Sequence, residues 1–224
     1  REVVFKVVYY GPGLGGKTSS LQHLHAATRP EHRGKMVSLA TPGDRTLYFD
    51  FLPVRVPDAR GLGVRLQLFT VPGQVYYDAT RKLVLTGVDA VVFVADSQRL
   101  RLEANLECLD NLRANLRDHG RDLEALPHVF QYNKRDLPEA VPIEELDREL
   151  NQHGAPAFAT VATTGEGIFE ALEAIVRLTL REFERRAPAE TTHEALELTA
   201  PEGGIAEALR RVEEPDAIRE PTPV

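Results

Sequence analysis

The amino-acid sequence predicts an α/β fold with a six-stranded, mostly parallel sheet, one antiparallel strand and about five flanking helices. Segments typical of strands alternate with segments of helical periodicity, which favours a sheet with helices on its faces. The segment 90–95 is apolar throughout, as is typical of a parallel strand covered on both sides. The candidate binding motifs follow the predicted strands, where sheets of this kind bind their ligands.

The predicted elements follow one another in a regular order. The strands cover residues 3–10, 47–56, 63–70, 90–95, 128–133 and 157–161. The predicted helices that can be placed cover residues 17–27, 99–119, 142–151 and 167–185. We expect the second and third strands to form a hairpin around the turn 57–61, because that turn contains proline, aspartate and glycine. This hairpin supplies the antiparallel strand of the predicted sheet.

The first strand and the first helix are joined by residues 11–18, which match the phosphate-binding pattern G-x-x-x-x-G-K-[ST]. Glycines leave the backbone N–H groups free to close around an anion, and the helix N-terminus adds further N–H groups. The loop residues expected to bind phosphate are Gly11, Gly13, Leu14, Gly15 and Gly16. Lys17 is expected to reach the β- and γ-phosphates, and the Thr18 hydroxyl to ligate Mg²⁺. The alternative, an ordinary glycine-rich turn, needs neither of these side chains.

A second motif, N-K-R-D, follows the strand 128–133 and resembles the guanine-reading motif of Ras-like GTPases. By that resemblance, Asp136 accepts two hydrogen bonds from guanine, Asn133 bridges to the phosphate loop, and the stem of Lys134 lies over the base. Adenine lacks the paired donors, so a buried aspartate left half-paired would select against ATP. Ala162 occupies the place of the last base-contacting loop, where a backbone N–H reaches the guanine oxygen. The alternative for a lone N-K-x-D tetrapeptide is a solvated turn.

The segment from Thr70 to Gln74 resembles the second switch of Ras-like proteins, which read D-x-x-G-Q at this point. By that resemblance, Gly73 donates its N–H to the γ-phosphate and Gln74 orients the attacking water. Thr70 stands where the Ras pattern has the aspartate that holds the metal through water. We therefore expect Mg²⁺ to be held less tightly, or by another group. A plain strand-to-turn transition is the alternative.

The first switch is expected at Asp44, Arg45 and Thr46, between the first helix and the second strand. A threonine here would ligate Mg²⁺ and contact the γ-phosphate. A guanidinium beside the transferring phosphoryl group would stabilise transition-state charge, as an arginine finger supplied by the same chain. The alternative for Arg45 is a solvated loop arginine.

Taken together, the motifs resemble the MglA-type bacterial small GTPases, Ras-like proteins that govern cell polarity and gliding motility. The resemblance covers about residues 1–185 and rests on segments 9–14, 44–53, 70–79, 92–98 and 131–138. It implies the Ras-like P-loop GTPase fold, an intrinsic arginine at Arg45 and a catalytic glutamine at Gln74. It also implies a roadblock-type dimeric GTPase-activating protein that repositions the switches and contributes no catalytic residue. The T-V-P-G-Q variant that contains Thr70 is itself a mark of this family.

The composition of the chain indicates which classes of partner and which cellular compartment to expect. The chain has 224 residues and a net charge of −7, most of which lies in its last 38 residues, so nucleic acid is not expected as a partner. There is no apolar run of 18 residues, so no transmembrane segment is expected. The single cysteine, Cys108, fits a reducing cytoplasm and is expected to fill the core.

The resemblance also implies that partners recruit the protein to a cell pole or to the inner membrane surface. The sequence identifies neither the exchange factor nor the effectors.

We predict a GTPase domain over residues 1–186 and an acidic, proline-rich tail over 187–224. The tail composition is typical of disorder. Helical spacing of apolar residues predicts one short helix near 204–212, which docks either on a partner or on the GTPase itself. A disordered spacer is the alternative.

The function predicted from these motifs is a molecular switch that binds GTP with Mg²⁺, hydrolyses it to GDP slowly, and turns over faster with its activating partner. Two other functions stay open. A non-catalytic module that keeps GTP as a structural ligand would need neither Arg45 nor Gln74. A phosphotransferase acting on a small acceptor would not need Asn133 and Asp136.

Overall fold

The computed structural model describes residues 2–39, 49–56, 63–73, 77–186 and 204–210. The sheet has seven strands, in the order β2-β3-β4-β1-β5-β6-β7. They are β1 (Glu2–Tyr10), β2 (Val37–Leu39), β3 (Phe49–Val56), β4 (Gly63–Thr70), β5 (Ala90–Asp96), β6 (His128–Asn133) and β7 (Ala157–Ala159). Strand β3 is antiparallel to both of its neighbours, and the other pairings are parallel.

The predicted α/β fold with one antiparallel strand is confirmed, but the predicted count of six strands is wrong. The additional strand is β2, whose three residues pair with the outer edge of β3. A strand this short contains too few residues for the period-two pattern by which strands are recognised in a sequence.

The helices of the described residues flank this sheet. They are α1 (Lys17–Ala27), α2 (Asp78–Leu85), α3 (Leu102–Asp118), α4 (Ile143–Leu150), α5 (Ile168–Arg186) and α6 (Gly204–Leu209). A 3₁₀ turn over Arg99–Arg101 precedes α3, so the helix predicted from residue 99 begins later. Helix α2 was not among the helices predicted by periodicity. No helix in the described ranges has both the length and the apolar character needed to cross a membrane.

The sheet separates two apolar cores. On one side, Leu24 of α1 and Phe169 of α5 pack against alternate residues of β1, β3 and β4. On the other side, Leu112 of α3 packs against the opposite face of β1, β5 and β6. Strand β5 is therefore buried at every position, whereas β3 and β4 alternate between buried and partly exposed residues. Cys108 belongs to the second core, and burial raises the pKa of its thiol to about 11.

Parallel strands bring their carboxyl ends to one edge of the sheet. Tyr9 pairs with Thr70 on one side of β1, and Asp96 pairs with Asn133 where β5 and β6 end. The phosphate loop, the second switch and the guanine motif therefore lie at the same edge. This is where open α/β sheets bind their ligands.

The tail contributes a described helix to this fold. In α6, Ile205 and Leu209 are buried in the first core, beside α1 and α5. The rest of the predicted tail, and the predicted turn 57–61, lie outside the described residues. Disorder of the tail and its division from the GTPase domain stay predictions.

Candidate functional site

The phosphate loop begins where β1 ends and closes on the first turn of α1. Gly16 is the residue before the helix and has a φ of 107°, a conformation that glycine adopts without strain. A Cβ on Gly16 would also overlap the Asn133 side chain. Glycine is thus required here both by the backbone conformation and by the close approach of a second loop.

Lys17 lies inside this loop and is almost completely buried. Its Nζ donates to the carbonyl oxygens of Gly11 and Pro12, at 2.8 Å and 2.7 Å. Burial lowers the pKa of Lys17 to about 8, because desolvation disfavours the ammonium ion. Anionic phosphate oxygens close to this ammonium would raise that pKa again, because they would stabilise the charged form of Lys17. The loop therefore favours binding of an anion.

The second switch packs directly against the phosphate loop. The Gly13 N–H donates to the Gly73 carbonyl at 3.1 Å. A Cβ on Gly73 would overlap the backbone of Gly13, so this approach also depends on glycine. The sequence predicts that the γ-phosphate binds between these two segments, and a triphosphate placed there would have to break this hydrogen bond.

An aspartate that the sequence analysis did not identify connects the phosphate loop to the second switch. Asp50 of β3 is almost completely buried, and its Oδ2 accepts from the hydroxyls of Thr18 at 2.6 Å and Thr70 at 3.0 Å. Its Oδ1 accepts from the Ser38 hydroxyl at 2.6 Å. The period-two pattern of β3 places Asp50 on the same face as buried Leu52, and an acidic residue at an inward position is the signal that could have found it.

This arrangement fits a magnesium ion. Mg²⁺ prefers oxygen ligands, and the Thr18 hydroxyl and the Asp50 carboxylate meet at one side of a cavity of about 370 Å³ that the phosphate loop also lines. The described residues contain no group of three His, Cys, Asp or Glu side chains able to hold a metal alone. An ion bound here would therefore take its remaining ligands from nucleotide phosphates and water.

Asn133 ties the guanine motif to the phosphate loop. Its Nδ2 donates to the Gly15 carbonyl at 2.8 Å. Its Oδ1 accepts from the Ala162 N–H at 2.9 Å and from the Thr160 hydroxyl at 3.3 Å. This buried side chain therefore joins three loops at the carboxyl edge of the sheet.

The other guanine residues differ in part from expectation. Asp136 is exposed in the described structure, so the burial expected for it depends on a bound base. Lys134 has a φ of 66°, and its Nζ donates to Asp96 Oδ2 at 2.6 Å. The Ala162 N–H already donates to Asn133, so contact with a guanine oxygen would require that bond to be shared or exchanged. The contacts of Lys134 and Ala162 are with residues distant in the chain, which a tetrapeptide motif does not encode.

Arg101, at the start of α3, was also missed. Its Nη2 donates to the Gly13 carbonyl at 2.8 Å and so holds the phosphate loop from the side opposite to α1. Arg45, Thr46 and Gln74 lie outside the described residues, and their roles stay predictions.

Two comparisons with known proteins bear on this site. A model of the ADP-ribosylation factor family matches residues 52–179, which is more than half of the chain. Among curated proteins, the chain is similar to the "Mutual gliding-motility protein MglA" of Myxococcus xanthus (strain DK1622). The two are 55% identical over 185 residues, which cover 83% of this chain and 95% of that protein. The family match includes the guanine residues Asn133, Lys134, Asp136 and Ala162.

Proposed function

This chain belongs to the ADP-ribosylation factor family, and from that premise we propose that it is a GTP-hydrolysing switch that controls cell polarity or motility. The predicted resemblance to MglA-type GTPases is confirmed by the 55% identity to the M. xanthus protein. The family implies binding of GTP and GDP and hydrolysis of GTP. The observation that best supports a guanine nucleotide is the Asn133 side chain, which joins the base-reading loops to Gly15 of the phosphate loop.

Phosphate binding is assigned to the loop residues Gly11, Gly13, Leu14, Gly15 and Gly16. Lys17 is assigned to the β- and γ-phosphates. The two carbonyls that now accept from Lys17 Nζ keep its ammonium group directed into the loop. Gly73 is assigned to the γ-phosphate through its N–H. The present contact of Gly73 with Gly13 supports this role, because it brings the switch to within hydrogen-bond distance of the loop.

Magnesium is assigned to Thr18 and Thr46, and we add Asp50 as the carboxylate that serves the ion in place of the aspartate of the Ras pattern. Thr70 cannot supply a carboxylate, but its hydroxyl donates to Asp50 and helps to orient it. When bound, Mg²⁺ would supply positive charge that offsets the charge developing on the phosphates, while Thr18, Thr46 and Asp50 would hold it. Asp50 would act on the ion directly or through a water molecule.

Guanine selection is assigned to Asp136, with Lys134 alongside the base and Ala162 on the guanine oxygen. Since Asp136 is exposed in the described structure, the bound base itself would have to bury it. Selection against adenine then follows from the cost of covering a carboxylate whose hydrogen bonds are not made.

Hydrolysis is assigned to Gln74, which orients the water, and to Arg45, which stabilises the charge of the transition state. We propose that turnover is slow without a partner, because both residues belong to switch segments that have to be positioned. The proposed partner is a roadblock-type dimeric GTPase-activating protein. A role in motility is proposed because the M. xanthus relative is a mutual gliding-motility protein.

The first experiment is multiple-turnover hydrolysis of GTP by the purified chain, with and without a roadblock-type protein, and with ATP as the control. GTP-specific turnover that rises sharply with the partner supports both the switch and the partner. Tight GTP binding without turnover under either condition would contradict the proposed hydrolysis and favour a non-catalytic GTP-binding module.

A further inference from the structure

The segment Gly204–Arg210 lies on the GTPase body, far from α5 in sequence but adjacent to it in space. Ile205 and Leu209 are 2% and 0% exposed, and they share a core with Leu24 of α1 and Phe169 of α5. The helix also contacts β3. A helix of six residues is not stable alone in water, so its structure depends on this packing.

Both ends of this helix are fixed to the body. At its N-terminus, the Ala206 N–H donates to Glu173 Oε2 of α5 at 3.1 Å, which satisfies a backbone donor that the helix cannot. At its C-terminus, the Arg210 guanidinium pairs with Glu170 and lies over the Phe169 ring, 5.0 Å from its centroid. These polar contacts set the direction and register of the helix in its groove.

The same segment holds the backbone that leaves α1. The Arg29 N–H donates to the Leu209 carbonyl at 2.9 Å, and Arg29 Nε donates to the Arg210 carbonyl at 2.9 Å. Thr28 forms an antiparallel bridge with Arg210 and is completely buried. Residues 28 and 29 open the connection between α1 and β3, in which the first switch is expected.

The connection is then held along β3, which α6 also contacts. Arg33 bridges to Val54, the Gly34 N–H donates to the Pro53 carbonyl at 2.9 Å, and β2 pairs with the start of β3. Asp50, which contacts Thr18 of the phosphate loop, lies on this strand. The segment Gly204–Arg210 therefore contacts both ends of the connection in which the first switch is expected, namely residues 28 and 29 after α1, and strand β3.

We propose that Gly204–Arg210 is an intramolecular latch, which docks in the groove between α1, α5 and β3 and restrains the entry to the first switch. Docking slows nucleotide release, and undocking speeds it. The effect on nucleotide release rests on the proposed GTPase function, whereas the docking of the segment does not. The 17-residue connection over 187–203 keeps the segment tethered, so docking is an intramolecular equilibrium that a partner could shift.

The test compares amide hydrogen exchange in the whole 224-residue parent chain, in a double variant and in a control variant, each with and without GDP and Mg²⁺. The variant Ile205→Ser/Leu209→Ser removes the two buried side chains. Glu207→Gln is the control, because Glu207 is exposed on the same helix. We expect the Arg29 amide to exchange at least about tenfold faster in the double variant and unchanged in the control, since this N–H loses its acceptor. Release of a fluorescent GDP analogue should become about threefold faster or more in the double variant alone.

Equal protection of the Arg29 amide in the double variant and the control would overturn the latch. Faster exchange with unchanged GDP release would overturn its effect on the switch. Failure of the parent chain to bind GDP contradicts the proposed function instead, and the nucleotide-free exchange data still decide the docking.

A surface variant covers the case in which the double variant does not fold. Arg210→Glu reverses one charge of the exposed pair with Glu170, and Glu170→Arg in the same chain restores opposite charges. We expect about a two- to fivefold faster Arg29 exchange in the first and recovery in the second. No change in Arg29 exchange for Arg210→Glu, or no recovery in the charge-swapped chain, would count against the docked register.

Discussion

The hydroxyl of Thr18 donates a 2.6 Å hydrogen bond to Asp50 Oδ2 across the base of the phosphate loop. One residue comes from the first turn of α1 and the other from β3, so the contact joins the phosphate loop to the strand that follows the first switch. Thr70 donates to the same oxygen, which shows how a threonine in the second switch remains connected to a carboxylate.

The first prediction follows from this contact. Asp50→Asn keeps the shape and the acceptor but removes the charge, so we expect about a tenfold higher Mg²⁺ concentration for half-maximal retention of bound GDP. The measurement is release of a fluorescent GDP analogue during a titration from EDTA to excess Mg²⁺. Asp110→Asn is the matched control, since Asp110 is an exposed acid on α3. An unchanged Mg²⁺ requirement in Asp50→Asn would remove Asp50 from the metal site.

The second prediction concerns pH. Burial lowers the pKa of Lys17 to about 8, and bound phosphates raise it, so binding takes up a proton when the pH is above about 8. GDP affinity should therefore fall as the pH rises above that value. Calorimetry at pH near 8.5, in two buffers of different ionisation enthalpy, measures the uptake. Lys17→Arg stays charged and should show none, so equal uptake in parent and variant would sink the assignment to Lys17.

The third prediction tests the approach of the second switch to the phosphate loop. Gly73→Ala cannot keep the present contact, because its Cβ would overlap Gly13. We expect GDP affinity within about threefold of the parent, but at least about tenfold slower partner-stimulated hydrolysis, since the added Cβ would hold the N–H of residue 73 away from the phosphate loop. Asp110→Ala is the control, because Asp110 is an exposed residue of α3. Normal stimulated turnover in Gly73→Ala would contradict the assigned role.

The fourth prediction concerns base selection. Asp136 is exposed, so Asp136→Ala should leave the melting temperature unchanged while the preference for GTP over ATP falls about a hundredfold. Competition binding with both nucleotides measures the preference. Asp122→Ala, at the residue before a short 3₁₀ turn well away from the motif, is the control. If the variant still discriminates like the parent, guanine is read elsewhere.

The fifth prediction concerns the chemistry. Arg45→Ala and Gln74→Ala should each reduce partner-stimulated GTP hydrolysis by about a hundredfold or more and leave GTP affinity nearly intact. Single-turnover hydrolysis with saturating partner, together with equilibrium GTP binding, separates the two effects. If either variant is stimulated to the parent rate, the residue changed in it has no catalytic role. For Arg45, the alternative of a solvated loop arginine would then hold.

How far the sequence predicts this molecule depends on the range of each interaction. The strand 90–95 and the helix 167–185 were predictable, because burial on both faces and helical periodicity are properties of consecutive residues. The three residues of β2 were not, since their strand character arises from pairing with β3. Local pattern thus decides the long elements, and tertiary pairing decides the short one.

The same distinction applies to the site. Asn133 could be predicted from its motif, because the tetrapeptide follows a strand end whose position is set by the fold. Asp50 was missed, although it lies on a correctly predicted strand, because its partners come from α1, β2 and β4. The exposure of Asp136 was not predictable either, since a sequence pattern does not show whether a side chain becomes covered only when a ligand binds.

The overlap between a Cβ on Gly16 and the Asn133 side chain has a consequence for how this chain can vary. An alanine at 16 fits only if residue 133 becomes smaller, and a smaller residue at 133 cannot reach the carbonyl of Gly15. Neither single change is neutral, and the second does not repair the first. These two positions, 117 residues apart in the chain, therefore constrain each other, and we expect a substitution at either one to weaken the junction between the two loops.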